Sequence, residues 1–328
     1  MTTPAAATMD AVAPPTICRT GRGLTVPVTE NWNGFSTPSP PSASLLMKLI
    51  CPFFTPDGQR LIFACNKDDP TQRNFDIWLV NLDGTGLKLL NPGDASHSAG
   101  MSDSGRYFVD TSSQVNTAPV SAFFDAMGNK ITELETTDVS ALLEAGYQFP
   151  EPFKVKADDG VTDLFGVMYK PFDFDPGKKY PIIAYVYPGP QTESVTKTFS
   201  PRNANVALAQ LGFIVIEVGN RGGNPQRSKW YHNYGYGNLR DYGLADKKAA
   251  VEQLARRFPY VDVNKVGIWG HSGGGFASAD AILRYPDFFK VAVSEAGNHD
   301  NREYEDDWGE KWQGLLAKTA DGKSNYDS

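Results

Sequence analysis

The chain has 328 residues, of which 41% are hydrophobic and 21% charged, and its formal net charge is −7. These proportions exclude a wholly disordered, collagen-like or coiled-coil chain. No run approaches the roughly 18 consecutive apolar residues of a membrane span. An acidic chain without basic blocks is a poor candidate for binding nucleic acid. The length predicts two domains, or one large domain with appendages.

Residues 1–50 are rich in Thr, Ala, Pro and Ser, which predicts an irregular, low-complexity leader. The segment lacks the basic start and apolar core of a signal peptide, so the chain as given is expected in the cytoplasm, although longer relatives could be exported. The three cysteines, Cys18, Cys51 and Cys65, fit neither a disulfide framework nor metal spacing. No nucleotide-binding fingerprint is present either, so we expect neither a metal nor a cofactor.

Residues 51–148 are predicted to form part of a β-propeller, about two blades. Turn signals and short apolar runs alternate, and the pattern around Gly58 returns at Gly105, 47 positions later. That interval lies near the 40–50 residues of propeller blades. Two unrelated β-meanders are the alternative. Because a closed propeller needs about 4–8 blades, this indicates a piece of a longer protein.

Residues 149–328 change to apolar strands that alternate with helices, which predicts a parallel sheet covered on both faces. Two strands are expected around the turn at Asp159-Gly160, and an apolar run follows over residues 182–187. A short helix is expected over residues 203–211. Asp241 is the expected cap of a longer helix, whose apolar face contains Leu244, Val251, Leu254 and Phe258.

The sequence Gly270-His271-Ser272-Gly273-Gly274 matches the G-x-S-x-G motif. The motif alone is weak, but here it directly follows a predicted strand and precedes a predicted helix over residues 273–283. That setting is the one a nucleophile elbow requires, in which Ser272 stands at the carboxyl edge of the sheet. An ordinary glycine-rich turn is the alternative.

Several stretches together resemble the prolyl oligopeptidase family of serine peptidases, in its dipeptidyl peptidase IV-like branch. They are KKYPIIAYVYPGP, the NRGG crossing, VGIWGHSGGG and YPDFFKVAVSEAGNHDNREY. The blade-like repeats are similar to the end of that family's propeller. The resemblance implies an incomplete α/β-hydrolase domain preceded by a partial β-propeller-like segment, with a peptide as substrate. An ester is the alternative substrate, because many α/β-hydrolases with this elbow are carboxylesterases or lipases.

The resemblance also implies roles for single residues. Ser272 matches the nucleophile, the Tyr187 hydroxyl one half of the oxyanion hole, and the Gly273 backbone N–H the other half. Two fixed donors of this kind are worth several kcal/mol to an acyl intermediate. The proline-accepting pocket matches four positions: Asn298, Asn301, Tyr304 and Trp308. The asparagines are polar where the mammalian enzyme looks apolar, and Gly273 stands where that enzyme has tyrosine, so strict proline specificity is in doubt.

In α/β-hydrolases the acid and the histidine follow the serine in the chain. Only 32 residues follow Ala296 here, so we expect the family's Asp and His beyond Ser328 and an impaired serine in this chain. His299, followed by Asp300, is the candidate substitute base; a structural or substrate-facing role is the alternative. No Glu-Glu pair is present to bind a substrate's amino terminus.

Three functions stay open at this point: a peptidase, a carboxylesterase or lipase-like hydrolase, and an inactive fragment. If strands of the domain are absent, an uncovered sheet edge should also make the chain self-associate.

Overall fold

A computed structural model describes residues 50–65, 76–91, 93–225, 227–239, 242–318 and 320–326. In chain order, these residues form two four-stranded antiparallel sheets and then one six-stranded mixed sheet. The predicted leader lies outside the described residues except for Ile50.

The first two sheets have the same up-and-down order. Sheet one contains β1 (Ile50–Phe54), β2 (Arg60–Cys65), β3 (Asp76–Asn81) and β4 (Lys88–Leu89). Sheet two contains β5 (Ser96–Met101), β6 (Tyr107–Gln114), β7 (Thr117–Asp125) and β8 (Lys130–Thr136). In both sheets the turn after the first strand carries a left-handed glycine, Gly58 with φ 64° and Gly105 with φ 65°. The repeat read from the sequence is therefore a repeat of structure, and the propeller-like all-β segment is confirmed.

The third sheet has the strand order β14-β13-β11-β12-β10-β9. Its strands are β9 (Glu151–Lys156), β10 (Asp163–Tyr169), β11 (Tyr180–Tyr185), β12 (Ile214–Val218), β13 (Val261–His271) and β14 (Phe289–Glu295). The last four strands are mutually parallel where they pair, whereas β9 and β10 are antiparallel. This is the parallel-rich sheet expected of an α/β-hydrolase domain. The domain boundary at residues 148–149 stays a prediction.

The described helices are α1 (Ser140–Glu144), α2 (Ala204–Ala209), α3 (Lys229–His232), α4 (Leu244–Arg257), α5 (Gly273–Arg284) and α6 (Asp306–Gln313). Five of them lie between strands in the chain and α6 follows the last strand; α4 and α5 pack on one face of the sheet and α2 on the other. The predicted apolar face of α4 is buried through Leu244, Val251 and Leu254, while Phe258 ends the helix as its C-cap. Asp241, the expected cap, lies outside the described residues.

The central strand β12 is buried along its whole length, because helices cover both of its faces. Ile214 and Ile216 face the core that contains residues of α4 and α5, and Val215 faces the core that contains residues of α2. Glu217 is the one acidic residue in this apolar strand, and it is only 2% exposed.

The limits of strand β11 (Tyr180–Tyr185) differ from the sequence-based expectation, which was an apolar run over residues 182–187. Strand β11 begins at Tyr180 rather than at residue 182, since Tyr180 N–H donates to the Tyr260 carbonyl oxygen at 2.8 Å. Strand β14 is outermost among the described strands, and its Val291 and Val293 side chains are 60% and 55% exposed. None of the described helices combines the length and apolar character that a membrane crossing requires.

Candidate active site

Ser272 occupies a sharp turn between β13 and α5. Its backbone has φ 56° and ψ −120°, and it is the N-cap of α5. A positive φ costs a non-glycine residue free energy and persists only where the surroundings impose it. Here the constraint comes from two backbone hydrogen bonds: Ser272 N–H donates to Glu295 O at 2.8 Å, and Ser272 O accepts from Phe276 N–H at 3.0 Å. The strand-turn-helix geometry of a nucleophile elbow is therefore present.

Three glycines allow the turn to pack against its neighbours. A Cβ atom at Gly270 would lie 2.2 Å from Val186 O, and one at Gly274 would lie 2.0 Å from the same oxygen. A Cβ atom at Gly275 would lie 2.3 Å from Glu295 O. A Cβ atom at Gly273, in contrast, would meet nothing within 4 Å. The elbow is thus packed backbone to backbone on two sides and open on the side of Gly273.

Tyr187 follows β11 and lies against this elbow. Val186 N–H donates to Trp269 O at 2.9 Å, so the ladder with β13 continues up to Tyr187. A Cβ atom at Gly274 would lie 3.5 Å from Tyr187 Cα. The phenol oxygen of Tyr187 accepts a long hydrogen bond from Gln191 Nε2 at 3.5 Å, which leaves its proton available to an acceptor.

The two histidines near Ser272 have other neighbours. His271 is exposed and its Nδ1 lies 3.5 Å from Glu295 Oε2. The His299 ring is tilted by 40° against the Phe276 ring, with 6.0 Å between ring centroids. Asp300 binds Arg302 through its Oδ2 at 2.6 Å, and this side-chain contact lowers the pKa of Asp300 to about 2. Among the described residues, no hydrogen bond or ion pair joins His299 to Ser272 or to Asp300, so a role for His299 as base stays a prediction.

Tyr304 and Trp308 form one aromatic wall. Their rings meet edge to face with centroids 5.2 Å apart. Trp308 also packs against a buried cluster of Leu239, Tyr242 and Trp312. Asn298 is half-buried in the segment after β14. Asn301 begins a short 3-10 turn, and its side chain lies outside the described part of the structure.

Tyr242 is a site residue that sequence reasoning missed. It is 8% exposed, and its ring would contact a Cβ atom placed at Gly222, at 2.5 Å, or at Gly235, at 2.9 Å. Burial first, and then the nearby phenol of Tyr187, raise the pKa of Tyr242. Tyr242 therefore lies beside the aromatic wall, and its phenol interacts electrostatically with that of Tyr187. The only nearby signal in the sequence was the density of aromatic residues in the segment WYHNYGYG, which ends at Gly237, before Tyr242.

A buried ion pair holds the NRGG crossing beside the site. Arg221 Nη2 donates to Asp246 Oδ1 at 2.7 Å, and Arg221 Nη1 donates to Asp159 Oδ2 at 3.2 Å. Asp246 is fully buried and Arg221 is 6% exposed. A carboxylate so deeply buried is tolerated because the Arg221 guanidinium and the backbone N–H groups of Arg221 and Asp158 donate to it. Across the described residues, no group of three or more His, Cys, Asp and Glu side chains is arranged to hold a metal ion.

Comparison with known proteins agrees with this geometry. Residues 198–328 match the sequence model of the prolyl oligopeptidase family. This part of the chain therefore resembles the prolyl oligopeptidase family. The chain is 30% identical to human dipeptidyl peptidase 8 over 256 residues, covering 73% of this chain and 27% of that protein. It is 30% identical to Aspergillus niger dipeptidyl-aminopeptidase B over 278 residues, covering 80% of this chain and 29% of that protein.

The chain also resembles solved structures over part of their length. A candidate dipeptidyl aminopeptidase IV from Bacteroides ovatus superposes with a TM-score of 0.67 at 31% identity, covering 78% of this chain and 36% of that chain. Porphyromonas gingivalis dipeptidyl peptidase 4 superposes with a TM-score of 0.71 at 24% identity, covering 86% of this chain and 39% of that chain, and supports the fold alone. The expected resemblance to dipeptidyl peptidases is confirmed, and the chain spans less than a third of the length of these two curated relatives.

Proposed function

We propose that Ser272 is the nucleophile of a serine hydrolase that acts on peptides. The observation that carries the proposal is the strained Ser272 backbone, held at the carboxyl edge of the sheet between β13 and α5. Strain at a functional turn keeps the serine oxygen exposed to a substrate carbonyl. In this reaction Ser272 Oγ bonds to the carbonyl carbon and loses its proton to a base. The amine leaves with a proton, and water then releases the acyl group.

The oxyanion of that reaction would be held by Tyr187 and Gly273. The Tyr187 backbone lies against the elbow, and Gly273 is the first residue of α5, where a backbone N–H has no acceptor within its own helix. An O–H and an N–H directed at one oxygen supply the electrostatic stabilisation that acyl transfer needs.

Substrate preference would follow from the aromatic wall of Tyr304 and Trp308. A flat apolar wall fits a pyrrolidine ring or another small side chain. The open space beside Gly273 and the polar residues Asn298 and Asn301 weaken selection for proline alone. We therefore expect the pocket to accept alanine as well as proline.

The chain of 328 residues would hydrolyse amides slowly. Serine is a weak nucleophile without an adjacent base, and no described histidine is hydrogen-bonded to Ser272. An amide also needs a general acid for its leaving group, whereas an activated ester does not. This favours ester hydrolysis as the second activity of this chain, with His299 as the candidate base.

The proposal is tested by comparing a p-nitrophenyl ester with an Xaa-Pro p-nitroanilide. We expect slow ester turnover that Ser272→Ala abolishes, and amide turnover at least tenfold slower. Brisk amide turnover lost in His299→Ala would identify His299 as the base. Absence of both turnovers would favour the inactive fragment. Trp308→Ala should raise KM with little change in kcat, because the wall binds ground state and transition state alike.

A further inference from the structure

A cavity of about 440 Å³ lies at the carboxyl ends of three parallel strands. Tyr185, Glu217 and Trp269 line it and stand side by side, since Tyr185 pairs in register with Glu217 on one neighbour and with Trp269 on the other. Their sequence neighbours Ala184, Ile216 and Ile268 belong to the core shared with α4 and α5. The cavity is therefore on the opposite face of the sheet, where the serine hydrolase proposal assigns it no role.

Glu217 brings a buried negative charge to this cavity. Its Oε1 accepts from Asn205 Nδ2 at 2.7 Å, from Tyr169 O–H at 3.1 Å and from Asn203 Nδ2 at 3.2 Å. From the residues that the structure describes, its Oε2 accepts only the Thr196 N–H, at 2.7 Å, so one acceptor position on Oε2 remains. All four donors are neutral.

No lysine, arginine or histidine among the described residues forms an ion pair with Glu217. Burial lowers the pKa of Lys247, and the negative charge of Glu217 is one of those that oppose this change. The Lys247 ammonium nevertheless donates its hydrogen bond to the Val218 carbonyl oxygen and not to Glu217. A buried carboxylate without a cation is costly. A bound positive charge would therefore be favourable at Glu217.

Two more polar atoms of the lining have no hydrogen-bond partner within the described parts of the chain. Asn205 is 2% exposed; because its Nδ2 must face Glu217, its Oδ1 is held away from the carboxylate and is unpaired. The indole N–H of Trp269 is also buried and unpaired. The centroids of the Trp269 and Tyr185 rings are 4.9 Å apart. Aromatic rings of this kind attract a cation placed against their faces. Ser194, also in the lining, has the unusual φ of 48°.

We propose that this cavity binds a small primary ammonium compound that also carries a carbonyl oxygen, such as an amino acid amide. The ammonium group would donate to Glu217 Oε2 and Asn205 Oδ1, and the carbonyl oxygen would accept from the Trp269 indole N–H. The ligand thus satisfies the unpaired acceptor, the unpaired donor and the uncompensated charge together. No bond to the ligand is made or broken.

Glycinamide and acetamide are a matched pair of probes, since acetamide keeps the amide and lacks the ammonium group. The readout is the indole N–H signal of Trp269 in protein with ¹⁵N-labelled tryptophan, assigned with Trp269→Phe. We expect glycinamide to shift that signal saturably with a Kd on the order of 1 mM, and acetamide to bind at least tenfold more weakly. Glu217→Gln should weaken glycinamide binding at least tenfold.

Measurements on the wild-type chain alone can overturn the proposal. Either equal shifts with both probes or no saturable shift of the Trp269 signal with glycinamide would do so. The proposal therefore stays falsifiable if Glu217→Gln does not fold. Ser272→Ala should bind glycinamide as the wild type does. Failure of the serine hydrolase proposal would leave this result unchanged, so the two can be told apart.

Discussion

The backbone N–H of Ser272 donates to the carbonyl oxygen of Glu295 at 2.8 Å. Glu295 ends β14, so this bond fixes the elbow to the outermost described strand of the sheet. A Cβ atom at Gly275 would lie 2.3 Å from the same oxygen, which shows how closely α5 approaches β14. The position of the proposed nucleophile therefore depends on β14 as well as on its own strand.

Gly274 and Gly273 give a matched test of elbow packing. In Gly274→Ala the new methyl group would lie 2.0 Å from Val186 O, so we expect a loss of about 3 kcal/mol or more in the free energy of unfolding. The methyl group of Gly273→Ala would meet open space, so we expect the free energy of unfolding to change by less than about 0.5 kcal/mol. Urea unfolding of both variants measures the difference. Equal stability of the two would contradict the packing.

The strain at Ser272 should be measurable as stability. Glycine adopts a φ of 56° without the penalty that serine has, so Ser272→Gly should be more stable than Ser272→Ala by about 1 kcal/mol. Both variants lack the hydroxyl group, so the comparison isolates the backbone. Thermal unfolding under one set of conditions measures it, and a less stable Ser272→Gly would argue against strain at this turn.

Asp159 should contribute to stability in a defined pH window. Burial opposes its ionisation, but hydrogen bonds from Thr162 and Val161 and the charge of Arg221 outweigh burial and lower the pKa of Asp159 to about 2. A carboxyl group whose pKa is lower in the folded state than in the unfolded state stabilises the folded state at pH values above the ordinary pKa of 3.8. This stabilisation is lost as the pH falls towards 2.

The stability advantage of the wild type over Asp159→Asn should therefore shrink between pH 4 and pH 2. The change should be about 1 kcal/mol, because Asp159 is partly exposed and solvent screens its interactions. Unfolding by urea across this range is the measurement. An advantage that does not vary with pH would show that Asp159 acts through packing or hydrogen bonding alone.

The exposed edge at β14 should promote self-association. Val291 and Val293 place apolar surface beside a strand edge that no other described strand pairs with, a combination that favours contact with another chain. Replacing both with threonine should lower the apparent mass in concentration-dependent light scattering. Val161→Thr, at a position 76% exposed in the turn between β9 and β10, is the control and should leave the mass unchanged. A wild type that is monomeric at every concentration would refute the expectation.

The sequence was most informative where local chemistry decides structure. The φ values of Gly58 and Gly105 and the strand before Ser272 follow from glycine freedom and from continuous apolar runs. Strand limits were less accurate, because the start of β11 depends on a hydrogen bond from Tyr180 to Tyr260.

The contacts around the site could not be read from the sequence. Tyr242 packs beside the aromatic wall only because the chain folds back between β12 and α4. Asp300 follows His299 directly, which suggested a catalytic pair, yet its carboxylate is held by Arg302. The surroundings of Glu217 in its apolar strand are set by four donors that lie elsewhere in the chain. Each of these depends on tertiary neighbours that no local pattern encodes.

The central claim is that Ser272 is a nucleophile, and covalent labelling tests it most directly. The chain is incubated with a fluorophosphonate probe, and the modified residue is located by mass spectrometry of its peptides, with Ser272→Ala as the control. The account predicts one slowly formed adduct, on Ser272, that is absent from the variant. An adduct on another residue, or labelling that persists in Ser272→Ala, would contradict it.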